Sequence, residues 1–209
     1  MPKSRTRKKA KSKGAAKLDW GGPAAKGSGR LNMVLALIAV VAVAGGGFYW
    51  WQSSQTRNTF MTHALDGQAA LGRVQAMPNR GGGGHLSPGP GHSYGVPFPT
   101  SGIHARTPTE PGFYDKAQPP TGLVHALEHG HIVIYYDRPG ADAISMLEDW
   151  TSLYTGHWDG VIATPSPGLG KAVVLTAWRK KFELERFAPA ASAAFIDTFR
   201  GRGPENPVR

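Results

Sequence analysis

From Met33 to Trp51 the chain runs 19 residues without a charged side chain, directly behind a strongly basic segment. An α-helix rises ~1.5 Å per residue, so such a run is long enough to cross a hydrocarbon core ~30 Å thick. Phe48, Tyr49, Trp50 and Trp51 close the far end of the run. Amphipathic rings of this kind favour the headgroup layer. Residues 1–30 hold 10 of the 24 Lys and Arg residues and one acid, Asp19. Lys and Arg on one flank and aromatics on the other predict, by the positive-inside rule, a cytoplasmic tail and an outward-facing remainder. The rival reading is a cleavable secretory signal, because Ala42, Val43, Ala44 and Gly45 have the small-residue look of a cleavage site. A long basic region and apolar residues past that point favour a retained anchor.

The same accounting changes what the net charge of +10 means. Residues 31–209 carry 14 basic against 13 acidic groups, so the folded part is nearly neutral. A basic nucleic-acid surface is therefore not expected, and the expected partner is the lipid bilayer, through residues 31–51. The chain has no cysteine. That excludes disulfides, thiolate metal ligands, a cysteine nucleophile and c-type haem attachment.

The expected organisation is a basic cytoplasmic tail at 1–30, a transmembrane helix at 31–51 and a juxtamembrane helix at 52–78. An extracytoplasmic domain at 79–203 and a C-terminal tail at 204–209 complete it. Phe60, Ala64, Leu65, Leu71 and Val74 approximate one apolar helical face, and Pro78 ends that helix. Residues 79–121 are rich in Gly and Pro, yet carry His, Tyr and Phe as an ordered loop region would. Leu123 to His129 suits a short helix stopped by Gly130, and His131 to Tyr136 a buried strand. Asp142 is placed to cap a helix reaching about Tyr154, with Ala143, Leu147, Trp150 and Tyr154 on one face. Strands are predicted at 160–164 and 171–179, joined as a hairpin through Gly168 to Lys171. A last helix begins at Pro189 and ends at Gly201 and Gly203. The fold class is α+β: one compact domain of β-α-β-β-α order after a Gly/Pro/His-rich loop region, behind one transmembrane helix.

Six of the eight histidines fall between His85 and His131. His125, Glu128 and His129 are the sharpest group. Helical positions i and i+4 share a face one turn apart, so two imidazoles there can chelate one ion, with Glu128 beside them as an orienting acceptor or a general base. The spacing also satisfies the H-x-x-E-H pattern of inverted zinc proteases, although Gly130 halts the helix at once and Glu183 and Glu185 sit in a charged stretch behind the last strand. Loop histidines His104 and His85 are the additional candidate ligands. An all-nitrogen set suits zinc or copper. The competing explanation is that these imidazoles only order glycine-rich backbone. Gly91, Ser93 and Gly95 match G-x-S-x-G by chance, because the flanking prolines supply neither the strand nor the helix a nucleophile elbow needs. Tyr94 and Tyr114 are candidate hydrogen-bond donors to a histidine site, or rings that order the loops.

Pro99 to His104, Gly112 to Tyr114, Val124 to Gly130 with the following strand, Thr176 to Trp178 and Gly203 to Glu205 together resemble a bacterial family catalogued as domain of unknown function 3105. The resemblance covers roughly residues 55–207. It implies a basic N-terminus, one membrane span, and a common site for His104, His125, Glu128 and His129. It brings no catalytic assignment, so whether the chain is an enzyme stays open. His92 and His131 fall outside the pattern, and Phe98 and Ile103 stand where a proline is common. The leading expectation is a membrane-anchored extracytoplasmic domain holding a transition metal through His85, His104, His125 and His129. The alternatives are a non-catalytic envelope interaction domain and a metal-dependent hydrolase with Glu128 as base.

Overall fold

The computed structural model describes residues 29–80, 84–87 and 92–209. Residues 1–28 of the expected basic tail, and Gly91 of the G-x-S-x-G match, lie outside them. The first helix, α1, spans Gly29–Asp66. Its most apolar stretch has a mean hydropathy of 2.2, and among the described residues it is the one helix long and apolar enough to cross a membrane. Its large apolar side chains between Leu31 and Trp51 are 48 to 75 % exposed, from Val34 to Val43. A helix so apolar on all sides fits a bilayer or a signal sequence, not a water-facing surface. The described residues up to Gly47 fall in one unit and those from Phe48 in a second.

The expected helix over 52–78 is not a separate element. α1 continues unbroken to Asp66, and a 3₁₀ turn follows at Gln68–Arg73. The change falls at Gly67, where a Cβ would overlap the backbone carbonyl of Ala190. The next residues, Gln75–Ala76, form a short strand β1. Phe60 and Ala64 of α1 are fully buried, and Phe60 packs edge-on against Trp150 and Tyr154, 5.3 and 5.1 Å between ring centres.

The remaining elements are β2 (Gly112–Phe113), α2 (Pro120–His129), β3 (Ile132–Tyr136), α3 (Ala141–Leu153), β4 (Val161–Pro165), β5 (Val173–Ala177), β6 (Lys180–Leu184) and α4 (Pro189–Phe199). The six strands form one mixed sheet in the order β1-β6-β5-β3-β4-β2. The fold is α+β, as the alternation of patterns implied. Three local expectations are corrected. β4 and β5 are not a hairpin: β3 lies between them, parallel to β4 and antiparallel to β5. The hairpin is instead β5 with β6, the stretch Lys180–Leu184 read from its charges as lying beyond the sheet. Phe182 and Leu184 face the core while Lys181 and Glu183 pair with each other near the surface, an alternation shortened to five residues. Asp142 lies in the first turn of α3, but Gly140 is the capping position and no side chain bonds there.

β3 has every side chain buried because both faces of the sheet are covered. Ile132, Ile134 and Tyr136 point to the side holding Phe60, α3 and α4, including Leu147, Trp150, Phe195 and Ile196. Val133 and Tyr135 point to the other side, against Leu123, Ala126 and Leu127 of α2. Leu123, Ala126 and Leu127 thus hold α2 to the sheet and turn His125 and His129 away from it.

Candidate metal centre

α2 ends in a Schellman-type cap. The Gly130 N–H donates to the Leu127 carbonyl and the His131 N–H to the Ala126 carbonyl, with Gly130 at φ 97°. A Cβ at Gly130 would press on Gly203 N and Trp158 O, each 2.8 Å away, so the chain's last segment and the loop before β4 both crowd this helix end. Gly203 packs so closely on Glu128 O and Gly130 N that only a glycine fits. Asp159 in that loop is bonded by Arg200, which also stacks over Tyr154 at 3.9 Å.

The loop carrying His104 is tied down from several sides. Ser101 Oγ accepts from the Arg80 N–H at 3.0 Å, the Arg179 N–H donates to Thr100 O at 3.0 Å, and Tyr94 Oη donates to Ile103 O at 2.7 Å. His85 joins by backbone pairing: Leu86 N–H donates to His104 O at 2.7 Å and His104 N–H to Gly84 O at 3.0 Å. Tyr94 and Tyr114 therefore do not bond a histidine ring. Tyr94 holds the carbonyl just before His104, and Tyr114 donates to Glu110 O.

Three imidazoles share one pattern. His104 Nδ1 faces Gly102 O at 2.9 Å, His125 Nδ1 faces Ala105 O at 2.7 Å, and His129 Nδ1 faces His157 O at 3.3 Å. A carbonyl only accepts, so each Nδ1 carries a proton and donates it there, which leaves Nε2 as the nitrogen through which a neutral ring would ligate. His104 Nε2 is buried with no hydrogen bond, although Glu128 Oε2 lies 3.0 Å from it. His129 Nε2 lies 3.1 Å from Glu205 Oε2. Two lone-pair atoms at such distances repel unless a proton or a cation lies between them. Two ligands of one tetrahedral ion, each ~2.0–2.1 Å from it, lie ~3.3 Å apart.

Ligand atoms of His85, His104 and His125 all lie within 4.8 Å of one another, and so do those of His125, His129 and Glu205. The four predicted histidines thus come together as a row rather than around one point, with His125 common to two triads. Glu128 touches the row at His104. Burial pulls His125 down to about 4 against the opposing Ala105 hydrogen bond, and it lowers His129 although Glu205 pulls the other way. Both shifts favour the neutral ring, the form that binds metal.

Residues 85–209 match the family described as Protein of unknown function (DUF3105). The chain belongs to this family. No curated protein and no solved structure matches it. The DUF3105 region begins at His85 and contains every residue of both triads. It extends a little further toward the C-terminus than the resemblance implied and leaves out residues 55–84.

Glu205 was missed as a site residue, its only signal being the Gly203 to Glu205 piece of the DUF3105 resemblance. Trp158 stacks on His129 at 4.3 Å between ring centres, and the His157 carbonyl receives both His129 Nδ1 and, at 2.8 Å, His131 Nε2. Nothing in the local sequence marks these contacts. His92 meets the Tyr94 ring edge-on and belongs to neither triad.

Proposed function

We propose that this DUF3105 protein is a single-pass membrane protein whose folded domain, on the outer side of the membrane, binds a transition-metal ion at the histidine row. The metal reading is carried by one observation: His104, His125 and His129 each spend Nδ1 on a backbone carbonyl, which leaves Nε2 to ligate, and all three belong to triads whose ligand atoms lie within 4.8 Å of one another. Ligating histidines are oriented in this way by outer hydrogen bonds. Zinc or copper suits the nitrogen-rich set. The outward topology rests on the basic residues before α1 and the aromatic residues at 48–51.

The test is direct. The full chain, purified in detergent without a polyhistidine tag, is stripped with chelator and titrated with zinc and with copper. Stoichiometric binding that His125→Ala abolishes supports the reading. Absence of binding to either metal favours the alternative in which the imidazoles only order loops around a protein-docking surface. Reporter fusions at each terminus test the sidedness, and an outward N-terminus would overturn it.

A second reading has its own support. His125, His129 and Glu205 make a two-histidine, one-carboxylate set of the kind zinc hydrolases use, with Glu128 inside the same helical turn as a candidate base. Turnover of peptides or esters by the zinc-loaded protein, lost in Glu128→Gln with zinc still bound, is the outcome this reading requires.

A further inference from the structure

The two triads share His125, and the chemistry of that ring limits how they can be filled. Its Nδ1 is 2.7 Å from the Ala105 carbonyl oxygen and must donate there. A neutral imidazole so fixed has one in-plane lone pair, on Nε2, and one lone pair serves one ion. The rings of His104 and His129 each lie beside that of His125, 4.6 and 4.7 Å between centres. An ion ~2.0–2.1 Å from Nε2 in either triad leaves the two positions no more than ~4 Å apart.

We infer that the triads are alternative seats for a single transition-metal ion, with His125 ligating in both. The inference rests on the metal-binding reading above. In one seat the ion has three nitrogens, from His85, His104 and His125. In the other it has two nitrogens and a carboxylate oxygen, from His125, His129 and Glu205. Exchange breaks the bonds to His85 and His104 as those to His129 and Glu205 form, while the His125 bond persists, so the ion never becomes free. No electron or proton need move. Each seat reaches the surface through its own ligand: His85 is exposed, and the Glu205 side chain is 46 % exposed while His104 and His129 are buried. This arrangement suits a protein that takes an ion at one face of the cluster and yields it at another. All-nitrogen and mixed nitrogen–oxygen sets favour different metals and oxidation states, which gives the two seats different holding strengths.

Cobalt(II) is the probe, because its visible d–d spectrum reports the ligand set. The full chain in detergent is titrated as wild type, His85→Ala, Glu205→Gln, the double variant His85→Ala/Glu205→Gln, and His125→Ala. The two single changes are at exposed ligands, so the fold is kept. The expected result is one cobalt per wild-type chain and one in each single variant, with two distinct spectra whose weighted sum reproduces the wild type. Each single variant should bind within about 100-fold of wild type, and the double variant should fall well below both. Two cobalt ions per wild-type chain would leave the metal reading standing and overturn the shared seat. So would loss of binding in one single variant with the other unchanged in affinity and spectrum, which means one fixed site. No cobalt binding by the wild type removes both readings together.

Discussion

His129 Nε2 lies 3.1 Å from Glu205 Oε2, joining the last residue of α2 to the final segment of the chain. The segment is drawn there by backbone as well. Gly201 N–H donates to Gly130 O at 2.8 Å, and Val208 N–H returns to Gly201 O at 2.9 Å. Deleting residues 204–209 should therefore weaken zinc binding, by up to about 100-fold, with His85, His104 and His125 left to hold the ion. Competition against a chromophoric chelator measures this. Unaltered affinity in the truncated protein would detach Glu205 from the site.

Gly203 leaves no room for a side chain between Glu128 O and Gly130 N. Gly203→Ala must push the final segment off the end of α2, at a cost of about 1–3 kcal/mol for an overpacked contact. Urea unfolding followed by tryptophan fluorescence should show that loss, and zinc affinity should fall with it. A neutral substitution would mean that the two backbones separate freely.

Phe60 is fully buried and makes two edge-on ring contacts. Phe60→Ala should destabilise the region from Phe48 onward by about 3–5 kcal/mol. The same denaturation measurement applies. Because Phe60 sits far along α1 from the span expected at 31–51, the variant should still partition with membranes.

Zinc should act as a stabiliser. A ligand at 100 times its dissociation constant adds about 2.7 kcal/mol when only the folded state binds it. The melting temperature should rise with zinc, return to its starting value with excess EDTA, and not respond to zinc in His125→Ala. A rise of equal size in that variant would place the metal elsewhere.

The helix bearing His125, Glu128 and His129 was legible because helical periodicity and a stop at Gly130 are both local. The strand Ile132–Tyr136 was legible for the same reason, since a β-branched and aromatic run bounded by turns has few alternatives. The pairing of strands was not. A glycine-rich turn between two strand patterns predicts a hairpin, yet β3 lies between β4 and β5, and the register that places it there is set by how the two sheet faces are buried. β6 was missed because its Lys and Glu residues read as a solvated stretch, when every second side chain faces the core.

On its own, the sequence determined that this chain carries an apolar helix behind a basic segment, lacks thiol chemistry, and places two imidazoles one helical turn apart. Each follows from residue type and short-range spacing. Only the tertiary structure decided which other groups meet those imidazoles, bringing in Glu205, the His157 carbonyl and Trp158, and dividing the candidate ligands into two triads about His125. Those contacts depend on glycine backbones that touch at Gly130 and Gly203. Close approach between segments distant in the chain is a property of packing, and it leaves no period in the sequence.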